Sequence, residues 1–297
     1  MRVLLTGATG FVGRALTARL HSEGHQVIGV SRTPERARAL PGLSGAVGWD
    51  GLDEAFEEPV DVVVHLAGET VQGRWNKTKI RSVRDSRQTS TATLVSAISR
   101  ATECPKVLLS ASGIGYYGEG GEGRLNESAS AGDDYFAAVC VDWEAEAARA
   151  RESGCRVVLL RFGIILGPGG GALDVMLTPA KFGVSGPLGG GQQWWSWISL
   201  SDAIGAIVHG ISTPAIDGPM NVVTPQPIRQ RDFNRVLCGL LGRPSWVPAP
   251  AFALRVVLGQ FAEEVLASKR VIPDVLTETG FVWSIPDLDR ALAQALD

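Results

Sequence analysis

The chain reads as an α/β protein with a doubly wound parallel sheet and a smaller C-terminal lobe, and three observations predict this. Short runs rich in Val, Ile and Leu alternate with segments of helical period through the first two-thirds of the sequence. A glycine-rich loop joins the first such run to the first such segment. After Gly167 the alternation gives way to Gly, Pro and Trp punctuation.

Taken in order, residues 3–6, 26–30, 60–66, 106–110 and 156–161 have the composition of buried parallel strands, because a strand covered on both faces is apolar throughout. Residues 12–22, 84–100 and 136–152 carry an apolar stripe and a charged outer face, as amphipathic helices do. Right-handed crossovers would cover both faces of the sheet with these helices, which is the Rossmann architecture. Beyond it, Gly167-Pro-Gly-Gly-Gly171 and Gly186-Pro-Leu-Gly-Gly-Gly191 bracket a short helical stretch, and Gln192-Gln-Trp-Trp-Ser-Trp197 concentrates three tryptophans. A Pro- and Trp-containing connector at 243–250 leads to a helical segment at 251–267 and a tail at 287–296. The expected division is a main body of residues 1–166 plus about 197–223, and a smaller substrate lobe of about 167–196 and 224–297.

At 297 residues, 45% hydrophobic and 20% charged, the chain can bury a large core. Lys and Arg total 28 against 31 for Asp and Glu, so a formal charge of −3 offers no general attraction to nucleic acid or anionic lipid. A small-molecule partner is expected instead. The first residues run directly into a strand pattern and no apolar run approaches the ~20 residues needed to span a bilayer, which together predict a cytoplasmic protein. Cys104, Cys140, Cys155 and Cys238 are scattered and His21, His25, His65 and His209 are dispersed, so reduced thiols and no metal site are expected.

Thr6-Gly-Ala-Thr-Gly-Phe-Val-Gly13 follows the first strand and opens the first helix, the context in which spaced glycines point to a dinucleotide. Gly7 permits a sharp turn, Gly10 removes a side chain where a pyrophosphate approaches the backbone, and Gly13 lets helix and sheet pack closely. Thr9, Phe11 and Val12 share this site, where the helix N-terminus turns free N–H groups and positive dipole toward phosphate. An NAD-selective site places Asp or Glu at the end of the second strand, whereas here that strand ends Val30-Ser31-Arg32. Arg32 offers a charge-assisted fork to a 2′-phosphate and Ser31 a hydroxyl, with Arg36 and Arg38 as further candidates, which favours NADP(H). Asp50 is a candidate for the adenine amino group or equally a turn residue. Leu66, Ala67 and Gly68 end the fourth strand beside the cofactor.

These residues resemble the extended short-chain dehydrogenase/reductase superfamily. Thr6 to Gly13 match its Thr-Gly-x-x-Gly-x-x-Gly loop, His65-Leu-Ala-Gly68 its Asn/His-x-Ala-Gly segment, and Ser110-Ala-Ser-Gly-Ile-Gly-Tyr-Tyr-Gly118 its serine strand. Arg161-Phe-Gly-Ile-Ile-Leu-Gly-Pro168 and Trp197-Ile-Ser-Leu-Ser-Asp202 are similar to its later segments. With Gly73-Arg-Trp-Asn76, Asp142-Trp-Glu144 and the Pro-rich C-terminal region, nearly the whole chain looks like the NAD-dependent epimerase/dehydratase-like subgroup, described as nucleoside-diphosphate-sugar epimerases or cell-division-inhibitor-like proteins. The resemblance implies that Ser112 stands for the catalytic serine, with Ser110 as second choice beside the cofactor. It also implies a homodimer formed through two helices.

In that superfamily a Tyr-x-x-x-Lys pair exchanges the proton of the substrate hydroxyl, the lysine lowering the tyrosine pKa. Here the helix reads Tyr135-Phe-Ala-Ala-Val-Cys140-Val-Asp-Trp-Glu144, and aligning Glu144 with the acidic residue four places after the lysine puts Phe136 at the tyrosine position and Cys140 at the lysine position. The usual pair is absent. Tyr135 is one residue out of register, turned ~100° away on a helix. Tyr117 and Tyr116 stand at the carboxyl end of the serine strand, facing the crevice where open α/β sheets bind ligands, as acid, donor or packing residues.

On the substrate side, Arg81, Arg84 and Arg87 continue a basic stretch from Arg74, Lys77 and Lys79 and point to cofactor phosphates or an anionic substrate, or else to a solvated face. Trp194, Trp195 and Trp197 beside Gln192 and Gln193 offer planar apolar surface to a ring or sugar, or plug the space between lobes. Lys181 is a further substrate-contact candidate. The reading that follows is an NADP(H)-dependent oxidoreductase or epimerase-like enzyme acting on a small hydroxyl- or carbonyl-bearing substrate. Its rival is a catalytically degenerate NADP(H)-binding sensor. Nucleotide-sugar epimerisation proper is disfavoured because its proton carrier is missing.

Overall fold

The apolar runs pair in register into one seven-stranded parallel sheet. In the computed structural model, which describes residues 1–71 and 73–297, the first strands are β1 (Arg2–Thr6), β2 (Gln26–Val30), β3 (Gly45–Val47), β4 (Val62–His65), β5 (Val107–Gly113), β6 (Arg124–Leu125) and β7 (Arg156–Phe162). They are followed by β8 (Ile164–Leu166), β9 (Trp194–Trp195), β10 (Trp197–Ser199), β11 (Gly218–Val222), β12 (Ile228–Arg229) and β13 (Arg270–Val271). The sheet order is β3-β2-β1-β4-β5-β7-β11, so the winding reverses between β1 and β4 and opens a crevice beyond their carboxyl ends.

Helices α1 (Phe11–Ser22), α2 (Pro34–Arg38), α3 (Leu52–Ala55), α4 (Lys77–Arg100), α5 (Tyr135–Ala148), α6 (Gly171–Lys181) and α7 (Leu200–Ser212) fall between these strands. The C-terminal part adds α8 (Gln230–Leu240), α9 (Ala251–Leu258), α10 (Phe261–Leu266), α11 (Asp274–Glu278) and α12 (Leu288–Leu296). Because successive side chains of a strand point to opposite faces, β1 sends Val3 and Leu5 into the core shared with α1 and α7, and Leu4 into the core shared with α4 and α5. All three are fully buried, which is why the strand reads as a continuous apolar run.

Three differences from the expected boundaries bear on the site. β5 continues to Gly113, because its ladder with β7 runs as far as Phe162, and this carries Ser112 to the carboxyl edge of the sheet. Helix α4 begins at Lys77: Asn76 caps it by accepting the Lys79 amide at 2.9 Å, a signal hidden among basic residues. The segment at 251–267 is two helices, α9 and α10, divided at Gly259. That residue has φ 63° and bridges Trp75, whose carbonyl a Cβ at Gly259 would strike.

A separate core lies beyond the sheet edge, where Trp195 and Trp197 pack with Leu166, Leu173, Phe233 and Leu292 from β8, α6, α8 and α12. Two short pairs run through it, β8 with β10 and β9 with β12, and a third, β6 with β13, ties the C-terminal part to the segment after β5. The buried Asp202 carboxylate accepts the amides of Ser284 and Ile285 at 2.7 and 2.9 Å, fixing the C-terminal tail on α7.

Candidate functional site

The β1–α1 turn has a shape that side chains would forbid. Gly7 has φ 73°, and a Cβ there would sit 2.8 Å from the Leu66 carbonyl carbon. At Gly13 a Cβ would strike the Gly7 carbonyl oxygen, so its absence lets α1 lie against β1. Gly10 is the N-cap and donates its N–H to the Gly7 carbonyl at 2.9 Å, while no side chain caps α1 and no acidic residue stands in its first turn. The first N–H groups of the helix, from Phe11, Val12 and Gly13, therefore face outward with the dipole behind them. Thr9 and Gly10 are exposed above them. The bare cradle fits a pyrophosphate.

Ser31 and Arg32 directly follow β2. Ser31 Oγ accepts the Thr33 amide at 3.1 Å, and Arg32 is exposed, with no hydrogen bond or ion pair among the described residues. Arg38, a further candidate for the 2′-phosphate, instead donates to the Ala46 carbonyl at 3.0 Å. Asp50 is exposed and its carboxylate folds back over Gly48, the turn geometry that was its alternative.

Beneath Leu66, Ala67 and Gly68 runs a buried hydrogen-bond chain. Thr91 Oγ1 donates to the Arg87 carbonyl (2.7 Å), so it accepts from His65 Nε2 (3.0 Å) and from Trp143 Nε1 (3.0 Å). His65 Nδ1 is then the acceptor for the Thr6 hydroxyl (2.7 Å), which itself accepts the Ala67 amide (3.1 Å). Burial, followed by the nearby Arg87 charge, drives the His65 pKa down to about 3, so the ring is neutral at physiological pH. Arg87 donates to the carbonyls of Glu69 and Val83, both at 3.1 Å, and lies over the Trp143 ring. The arginine series thus splits: Arg84 pairs with Asp142 at 2.7 Å, Arg81 is exposed, and Arg87 lines the cleft.

Ser112 reaches the cleft, yet its hydroxyl donates to Glu144 Oε1 at 2.6 Å. Glu144 is buried and held by Arg161 through a two-pronged pair, Nε to Oε1 at 2.8 Å and Nη2 to Oε2 at 2.7 Å. Arg161 also donates to the Tyr117 hydroxyl (3.0 Å), which donates to Asn221 Oδ1 (2.7 Å). Tyr117 is 3% exposed and burial pushes its pKa up to about 12. Tyr116 lies flat against the Arg161 guanidinium, 3.4 Å from ring centre to Cζ. The expectation that these tyrosines face the crevice is therefore corrected: neither lines the cleft, because both are drawn back to Arg161. Ser110 is fully buried beside His65 with no partner for its hydroxyl among the described residues, and Tyr135 donates to the Ile80 carbonyl at 3.0 Å.

The cleft itself has a volume of about 490 Å³ and runs from Phe11 past Ser112, Phe136 and Cys140 to Trp194 and Trp195. Trp194 is clamped between the guanidinium groups of Arg229 and Arg270, whose Cζ atoms lie 4.0 and 4.6 Å from the ring centre. Gln193 and Lys181 do not line it. Gln193 is buried and donates to the Leu188 and Val265 carbonyls, and Lys181 is exposed at the end of α6. Trp197 belongs to the second core.

Among the cleft residues that the sequence does not single out for the site are Trp75, Phe261, Glu264 and Lys269. Trp75 stacks on Phe261 with centroids 5.5 Å apart, and Lys269 Nζ meets Glu264 Oε2 at 3.0 Å. The Gly73-Arg-Trp-Asn76 motif signals the first. Glu264 and Lys269 flank a helix end in no recognisable spacing.

A family model described as the NAD dependent epimerase/dehydratase family matches residues 3–222. The chain belongs to that family. A second model, a domain of unknown function (DUF1731), matches residues 249–295, the part of this family member that supplies Phe261, Glu264 and Lys269. The human epimerase family protein SDR39U1 is 36% identical over 299 residues, covering 99% of each protein. A chloroplastic homologue from Arabidopsis thaliana is 36% identical over 305 residues, covering 99% of this chain and 87% of the relative. The crystal structure of human SDR39U1 (isoform 2) with NADPH matches with a TM-score of 0.91 and 35% identity, covering 99% of each chain. A UDP-glucuronic acid 4-epimerase from Bacillus cereus, at 17% identity and a TM-score of 0.79, shares the fold. The short-chain dehydrogenase/reductase resemblance and the Rossmann sheet expected from the sequence both hold. Among the described residues no helix is long and apolar enough to cross a membrane, and no group of three or more His, Cys, Asp or Glu is arranged to hold a metal.

Proposed function

We propose that the chain is an NADP(H)-dependent oxidoreductase or epimerase-like enzyme acting on a small hydroxyl- or carbonyl-bearing molecule. One observation carries this reading: Phe11, which opens α1 directly after the glycine turn, also lines the cleft, so a dinucleotide on the cradle would lead toward a substrate against Trp194 and Trp195. Backbone groups at Gly7, Thr9, Gly10, Phe11, Val12 and Gly13 hold the pyrophosphate, and Leu66, Ala67 and Gly68 flank the dinucleotide. Bound there, the nicotinamide supplies the hydride donor or acceptor. Ser112 serves as an acceptor, its own proton being directed to Glu144. The exposed Arg32 guanidinium, in place of an acidic residue after β2, supports a 2′-phosphate, as does the human relative crystallised with NADPH.

Calorimetric titration of Arg32→Asp with NADPH and NADH tests the cofactor choice. The expected result is at least a tenfold loss of NADPH affinity with NADH affinity unchanged within threefold; equal losses overturn it. The sensor reading is favoured by one feature, the pairing of Phe136 and Cys140 where proton-transferring residues usually stand, with burial pushing the Cys140 thiol up to about 12. A homodimer and a cytoplasmic location belong to the same proposal.

A further inference from the structure

Opposite the sheet, the cleft is walled by aromatic rings: Trp75 stacks on Phe261 at 5.5 Å and meets Phe136 at 5.0 Å, while Trp194 and Trp195 line the same space. The described lining holds two cations, and both are already engaged. Arg87 donates to two backbone carbonyls and lies over Trp143. Lys269 is buried and paired with Glu264 Oε2 at 3.0 Å. The other carboxylate oxygen, Oε1, lies by Gly115: a Cβ built there would be 3.6 Å from Oε1, 3.6 Å from the Phe136 Cβ and 3.7 Å from the Cys140 sulfur. Glu264 Oε1 thus stands beside Gly115, Phe136 and Cys140, at the polar end of an otherwise apolar space.

This arrangement selects against a diphosphate and for a donor. A nucleoside diphosphate would bring two negative charges to a cleft whose cations are committed and whose lining includes the Glu264 carboxylate, and desolvated charges without partners are costly. An ionised carboxylate accepts hydrogen bonds and gives none, so its ligand must carry a hydroxyl or N–H. We propose that the cleft takes an uncharged, flat, largely apolar alcohol or phenol, its ring between the aromatic walls and its hydroxyl donating to Glu264 Oε1, with Lys269 holding that carboxylate in position. This rests on the reading that the cleft is the substrate site of an NADP(H)-linked enzyme.

The test is calorimetric titration of the full chain, with and without saturating NADPH, using 2-naphthol, 2-methoxynaphthalene and UDP-glucose as probes. Hydrogen bonds to charged groups predict that 2-naphthol binds at least tenfold more tightly than the methyl ether, which has the same rings and no donor. UDP-glucose is expected to give no saturable heat. Glu264→Gln should bring the two naphthalenes within threefold of each other while leaving NADPH affinity within twofold of the unaltered chain. The proposal is overturned if UDP-glucose binds and displaces 2-naphthol, if 2-naphthol does not bind, or if the unaltered chain fails to prefer it to its ether. Failure of NADPH to bind, read in the separate cofactor titration, would sink the underlying functional reading while leaving the ligand comparison intact.

Discussion

The β1–α1 turn and the far corner of the cleft are built on opposite plans. In the turn, one short stretch from Gly7 to Gly13 contributes backbone groups, and its side chains matter chiefly by being absent. In the corner, Ser112, Cys140, Glu264 and Lys269 arrive from β5, α5, α10 and the loop after it. A site made of main-chain amides within one loop leaves a local pattern in the sequence. A site made of side chains from separated segments leaves none.

Three changes would break or sharpen this contrast. The largest effect belongs to Gly13→Val, whose side chain would run into the Gly7 carbonyl and push α1 from β1. NADPH affinity should fall at least a hundredfold and the melting temperature should drop; affinity within threefold of the unaltered chain would mean that the cradle does not depend on that close approach. Next comes Arg161→Met, which leaves the Glu144 carboxylate buried without a compensating charge and with the Ser112 hydroxyl as its remaining described partner. Urea denaturation should register a loss of about 3–5 kcal/mol, and a loss below about 1 kcal/mol would mean water reaches Glu144 readily.

The smallest concerns His65, whose folded pKa of about 3 lies below the ordinary 6.5. Since the unfolded chain takes up the proton first, this residue's contribution to stability is intact above pH 6.5 and declines as pH falls toward 3. Between pH 6.5 and 5 the decline is about 1.6 kcal/mol, the slope steepening from roughly 0.7 toward 1.4 kcal/mol per pH unit as the unfolded imidazole fills. Unfolding free energies of His65→Asn and the unaltered chain, measured at both pH values, should differ by that slope; parallel curves would show that the ring protonates without unfolding.

Much of the cofactor side was legible before any coordinates. Gly7 and Gly13 declare their backbone roles because a tight turn and a close helix crossing admit no other residue. The tyrosines misled for a related reason. Tyr116 and Tyr117 follow the serine strand at the crevice end, and strand position alone points them outward. Arg161, 44 residues away from Tyr117 in sequence, supplies the hydrogen bond that turns that hydroxyl inward, and Asn221 is 104 residues away. Likewise the tryptophan-rich segment divides by contact: Trp194 reaches the cleft, Trp197 fills the second core, and Trp195 borders both.

The sequence by itself determined the doubly wound parallel sheet, a crevice at the carboxyl ends of its strands and the glycine cradle, because strand period, crossover handedness and glycine geometry act over a few residues at a time. Tertiary structure alone decided which polar groups are buried together and which open onto the cleft. A charge such as Glu144 or Lys269 takes its role from the partner that compensates it, and that partner is chosen by how distant segments pack.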